Sequence, residues 1–122
     1  MNKIKILVIP SDTSGCGYYR SLKPHTKLAE MYEDDFDVDI KYQVDWSDVN
    51  TMMSYDIIHI HQGLFPDMET FRSTIAKCRS NGTIVIMDLD DYWDLGQFHP
   101  SSADFKRYGV GKLIKENIKL VD

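Results

Sequence analysis

A chain of 122 residues has the size of one domain and can bury a core without disulfide or metal staples. Its net charge of −5 argues against a nucleic-acid backbone as partner, and apolar runs such as Ile84–Met87 are too short to span a bilayer. Cys16 and Cys78 lie in separate segments without metal-ligand spacing and read as reduced thiols. The N-terminus lacks the apolar run of a signal peptide, so the expected location is the cytoplasm.

In chain order, Ile4–Ile9 reads as a buried first strand, stopped by Pro10 and the small polar loop Ser11–Gly17. Tyr18, Leu22, His25, Ala29 and Tyr32 recur at helical spacing, with Pro24 acceptable only near a helix start or at a kink. The acidic run Glu30–Asp39 reads as a solvated turn leading into Phe36–Tyr42, whose alternation marks a half-exposed edge strand. Ser47–Ser54 suits a short helix carrying Val49, Met52 and Met53, and Asp56–His61 a third strand.

Pro66 and Asp67 suit the first turn of a further helix. Its buried stripe is Met68, Phe71, Ile75 and Cys78, and Asn81-Gly82 is its left-handed stop. Thr83–Met87 is expected to be a fourth, buried strand. Asp88–Ser102 is irregular, acidic and aromatic, and Val110, Leu113, Ile114, Asn117, Ile118 and Val121 mark a last helix. Alternating strands and helices imply right-handed crossovers and a single α/β, Rossmann-like domain, three layers deep, with a mainly parallel sheet of four or more strands. The last helix stops where another strand would normally begin, so the sheet is expected to be completed by a missing C-terminal half, by a partner or by another copy, as in a homo-oligomer.

In such sheets ligands bind beyond the carboxyl ends of the strands. Three loops meet that description, at 11–19, 61–66 and 88–99. In the first, Gly15 and Gly17 allow close backbone approach, Tyr18 follows, and Arg20 is placed to hold an anion near a helix start. A tight turn without ligand is the plain alternative. Arg20 stands where a dinucleotide fingerprint needs its third glycine, and Cys16 is four residues from Arg20 where a cysteine-phosphatase loop needs six.

His59 and His61 face the same side of their strand. No third metal-ligating residue is near them in sequence, so hydrogen-bonded core histidines are the stronger reading, with His61 the better ligand-facing candidate. Asp88 and Asp90 share a face at a strand end, and their repulsion needs a cation, a proton or hydrogen-bond donors. Magnesium and amide donors both answer that need, and amide donors are the expectation. No metal and no cofactor is therefore assigned.

The segments Gly17–Pro24, Asp56–Gln62 and Val85–Asp91 together resemble the N-terminal, Rossmann-like half of GT-B-fold glycosyltransferases of bacterial and phage type, and the likeness covers nearly the whole chain. The resemblance implies an acceptor-side domain of an enzyme that transfers sugar from a nucleotide-sugar, without metal, and without the donor-binding half. Its partners would be a sugar acceptor and the nucleotide-sugar. Gly15, Gly17, Tyr18 and Arg20 would line the cleft, His61 would face the acceptor, and Asp88, Asp90 and Asp91 would shape the acceptor site. The catalytic base is unknown, and the isolated chain would be inactive.

The rival from another class is a non-catalytic α/β interaction module presenting Tyr18, Tyr19, Tyr92, Trp93 and Phe98 to a protein. A magnesium-dependent receiver-like or phosphatase-like domain ranks last, because only Asp12 follows the first strand, where such domains place their key aspartate.

Overall fold

A computed structural model describes residues 2–62, 67–89 and 96–122. Its elements run β1 (Ile4–Ile9), α1 (Gly15–Gly17), a π-helical turn (Tyr18–Leu22), α2 (Lys23–Met31), β2 (Phe36–Ile40), α3 (Val49–Met53), β3 (Ile57–His61), α4 (Met68–Ser80), β4 (Ile84–Asp88), α5 (Ser102–Tyr108) and α6 (Val110–Ile118). The four strands form one all-parallel sheet in the order β2-β1-β3-β4. The domain is thus α/β and Rossmann-like, as its alternation predicts. Among the described residues, no helix is long and apolar enough to cross a membrane.

The register puts Ile6 beside Val38 and Ile57, and Leu7 beside Ile58. Alternate side chains therefore build two faces. One face carries Leu7, Ile9, Ile58, Ile60 and Val85, and it buries Met52 of α3 and Phe71, Ile75 and Cys78 of α4 in a single core. Each such apolar side chain contributes about 1.5–3 kcal/mol. The helical segment after β1 packs on β1 and β2 and reaches β3 where His25 stacks on His59.

Pro24 has no N–H for the Arg20 carbonyl, and the turn ahead of it is π-helical, with the Lys23 N–H donating to the Tyr18 carbonyl. The helical path continues through it into α2, which is how Pro24 is accommodated near a helix start.

β4 differs from the expected buried strand. Val85 is fully buried, but Ile84 and Ile86 are 49% and 42% exposed, so only the α4 side of β4 is covered. The C-terminus explains part of the other edge. The Asp122 N–H donates to the Val85 carbonyl at 2.8 Å, and the Asp122 carboxylate accepts from the Val85 N–H at 2.9 Å. The expected last helix is present as α6, and a further helix, α5, precedes it, the two separated by Gly109 in the left-handed region.

Candidate functional site

The order β2-β1-β3-β4 means that the chain leaves β1 toward one edge and leaves β3 toward the other. This topological switch opens a crevice outside the carboxyl ends of β1 and β3. There the structure has a cavity of about 710 Å³. Its walls are Pro10 and Ser11 after β1, the stretch from Tyr42 to Ser47 after β2, His61 and Gln62 at the end of β3, and Asp67 and Thr70 at the start of α4.

Each wall is fixed by local hydrogen bonds. Asp45 accepts from the Ser47 N–H at 2.9 Å and the Ser47 hydroxyl at 2.5 Å, closing a turn that leaves Trp46 against Phe71, with ring centres 4.8 Å apart. The Thr74 hydroxyl donates to the Trp46 carbonyl, pinning the turn to α4. Asp67 caps α4 by accepting from the N–H and hydroxyl of Thr70. These bonds hold the Asp45 and Asp67 carboxyls below the usual carboxylate range, so both are charged at neutral pH.

His61 is 3% exposed, and its Nδ1 lies 2.7 Å from the Ser11 hydroxyl and 3.4 Å from the Ser11 backbone nitrogen. A backbone N–H can only donate, so Nδ1 acts as acceptor and the ring proton sits on Nε2. Gln62 follows with φ 72°, a left-handed conformation uncommon for a side-chain-bearing residue, while its N–H donates to the Asp88 carbonyl at 2.8 Å. The strained residue thus sits in the cavity wall directly after the buried histidine.

The other residues singled out in the sequence gather on a second polar cluster. Arg20 donates through Nε to Asp88 Oδ2 at 2.8 Å and through Nη2 to Asp88 Oδ1 at 2.5 Å. The guanidinium holds the Asp88 carboxyl below its usual range. Behind the pair, His25 stacks on His59 at 4.8 Å, and burial, then the neighbouring His25, push the His59 ring down to about 4.

Gly15 and Gly17 fall in α1, and Tyr18 opens the π-helical turn with its ring 5.0 Å from that of Tyr19. Asp12 folds this loop inward, accepting from Ser14 N at 3.0 Å and Gly17 N at 3.2 Å, so the Gly17 N–H is taken by the chain's own carboxylate. Of the predicted set, His61 lines the cavity, Arg20 and Asp88 pair with each other, and Asp90 and Asp91 lie outside the described residues. Among the described residues no group of three or more His, Cys, Asp or Glu is placed to hold a metal ion.

The sequence reading passed over Asp45 and Trp46, placed Asp67 only in the first turn of a helix, and weighed Asp12 only as the aspartate after the first strand. The signal that finds three of them is the spacing Asp-x-Ser at 12–14 and 45–47 and Asp-x-x-Thr at 67–70, which closes side-chain turns and caps helices.

The fold and the cavity define a doubly wound α/β domain with a polar, aromatic-walled crevice at its switch point. Comparison finds no matching family model, no matching curated protein and no matching solved structure.

Proposed function

We propose that this chain is the acceptor-binding half of a GT-B-type sugar-transferring enzyme, and that the switch-point cavity takes the carbohydrate acceptor. The observation that carries the reading is the composition of that cavity. Tyr42, 42% exposed, and Trp46 line it together with Gln43, Gln62, Ser11, Ser47, Thr70 and two aspartates. A sugar presents an apolar ring face and a rim of hydroxyls that both donate and accept, which this mixture matches.

No lysine or arginine lies among the described lining residues, so a nucleotide's phosphates find no charge partner there. That favours acceptor over donor. Transfer needs the donor's reacting carbon held against the acceptor hydroxyl, and such positioning supplies roughly 7–11 kcal/mol of barrier lowering in well-oriented cases. One binding half does not provide it, so the chain alone binds acceptor without transferring sugar.

An amide-resolved NMR titration tests the reading. Neutral mono- and disaccharides at millimolar concentration are expected to shift the amides of Gln43, Ser47, Gln62 and Thr70, and a nucleoside diphosphate is expected to leave them in place. Silence toward sugars with a nucleotide response at those amides overturns it. The interaction-module reading rests on a separate observation, the 66% exposure of Tyr19 and 92% exposure of Phe98. It predicts a partner footprint on those rings that leaves the cavity empty.

A further inference from the structure

We propose that Ser11 and His61 form a nucleophile–base pair, and that the chain hydrolyses small neutral carboxylic esters in the switch-point cavity. This activity goes beyond the sugar-binding reading and does not depend on it, since an ester of any small alcohol reports it.

A serine hydroxyl is a weak nucleophile until a base within hydrogen-bond reach takes its proton. The Ser11 hydroxyl lies 2.7 Å from His61 Nδ1. The Ser11 N–H also points at Nδ1, at 3.4 Å, and an N–H can only donate, so the nitrogen that faces the hydroxyl is the one with the lone pair. The other acceptor near the hydroxyl, Asp12 Oδ2, stands farther off at 3.3 Å, and Asp12 Oδ1 is taken by the N–H groups of Ser14 and Gly17. The shorter contact therefore leads the proton to His61.

The two members of the pair differ in burial in the way the chemistry requires. His61 is 3% exposed, so packing holds the ring in place, whereas Ser11 is exposed and lines the cavity. The partners come from the carboxyl ends of β1 and β3, 50 residues apart, where an open parallel sheet presents its reactive groups. Taking the proton gives His61 a positive charge. Asp88 stands beside it in the β3–β4 register, and Asp12 lies next to Ser11, so carboxylates flank that charge on two sides. Gln43 and Gln62 bring amide donors to the lining for the carbonyl oxygen that becomes negative. A cavity of about 710 Å³ takes a small ester, and the described lining has no lysine or arginine to answer an anionic one.

In the first step Ser11 Oγ bonds to the ester's carbonyl carbon while its proton passes to His61 Nδ1. The bond from that carbon to the alcohol oxygen then breaks, and His61 returns the proton to the departing alcohol, leaving acyl-Ser11. In the second step a water gives one proton to Nδ1 and bonds to the acyl carbon. The carbon–Ser11 oxygen bond breaks, and the proton goes back to Ser11. Ester and water become acid and alcohol, and water is the only co-reactant.

The test uses p-nitrophenyl acetate and a fluorophosphonate on the whole chain. The unaltered chain is expected to release nitrophenol about a hundredfold or more faster than Ser11→Ala and His61→Gln, and Cys16→Ser is expected to match the unaltered chain. The fluorophosphonate is expected to attach at Ser11, located by mass spectrometry of peptides, which holds even if a variant fails to fold. Thermal melts of the variants separate lost chemistry from lost structure. Nitrophenol release that survives Ser11→Ala, attachment at another residue, or neither release nor attachment by the unaltered chain overturns the proposal and leaves the sugar cavity to its own titration.

Discussion

Arg20 and Asp88 are separated by 68 residues, yet they meet in a two-pronged ion pair that ties the turn after β1 to the last residue of β4. The pair spans the sheet ends on the side opposite α4, where Ile84 and Ile86 leave β4 uncovered. Its side chains are 43% and 24% exposed, so solvent screens much of the attraction. Arg20→Ala is expected to lower the unfolding free energy by about 1 kcal/mol, and a double-mutant cycle with Asp88→Asn should give a coupling of about 0.5–1 kcal/mol that shrinks in high salt. Urea unfolding of the four proteins measures it. Strict additivity would show that the two residues act separately.

Two glycines of the first loop should behave differently. A methyl group added at Gly17 would stand 2.1 Å from the Asp12 carbonyl oxygen, and backbone cannot swing aside as a flexible side chain can. Gly17→Ala is expected to cost about 1–3 kcal/mol. At Gly15 nothing lies within 4 Å, so Gly15→Ala should change stability by less than about 0.5 kcal/mol. Thermal melts of both variants decide the point, and a neutral Gly17→Ala would show that the Asp12 turn yields readily.

The elements were legible because their signals are local. Period-two and period-3.6 patterns place β1, β3 and α4, and Gly82, at φ 92°, stops α4 where Asn81-Gly82 predicts. The exposure of β4 was not legible. Ile-Val-Ile-Met is apolar throughout, and whether a helix covers both faces depends on where the chain goes next rather than on the strand itself. The cavity was half legible. His61 announces itself at a strand end, but the partnership of Ser11 with His61 crosses 50 residues, and the wall from Tyr42 to Ser47 belongs to a loop with no glycine to flag it. Arg20 reads as an anion holder, and in the fold it grips the carboxylate of Asp88.

Asp122 extends the sheet edge by one residue in strand fashion, with its N–H on the Val85 carbonyl and its carboxylate on the Val85 N–H. Arg79 of α4 donates to the same carboxylate at 3.0 Å and to the Leu120 carbonyl at 2.8 Å. Without that carboxylate the Val85 N–H on the outer edge of β4 loses its acceptor. Asp122→Ala is therefore expected to speed hydrogen exchange at Val85 by about tenfold or more while leaving Ile58, inside the sheet, unchanged. Unchanged protection at Val85 would show that another group holds its N–H.

The stacked pair of His25 and His59 sets how stability depends on pH. His59 is packed between helix and sheet with Arg20, His25 and His61 around it as cationic or titratable neighbours and Asp88 as the single acid named among its influences. Burial, then His25, push its ring from 6.5 to about 4, and Asp88 only partly opposes them. In the unfolded chain the ring takes up its proton near 6.5, whereas the folded chain keeps it neutral until about 4. Between those values the unfolded state binds more protons, so this contribution is fully present above about pH 6.5 and is lost progressively as the pH falls toward 4. Asp45, Asp67, Asp88 and Asp122 are all held below the ordinary aspartate value of 3.8. Their contributions are present above that value and lost only as the pH falls through their lowered folded values, which separates the two windows. Urea midpoints measured between pH 7 and about 4.5 should fall steadily for the unaltered chain and much less for His59→Gln, which keeps a neutral polar side chain at the site. The His59 ring protons followed by NMR supply the second reading, with an inflection near 4 expected. An inflection close to the ordinary histidine value, together with parallel midpoint curves for the two proteins, would remove His59 as the source of the acid sensitivity.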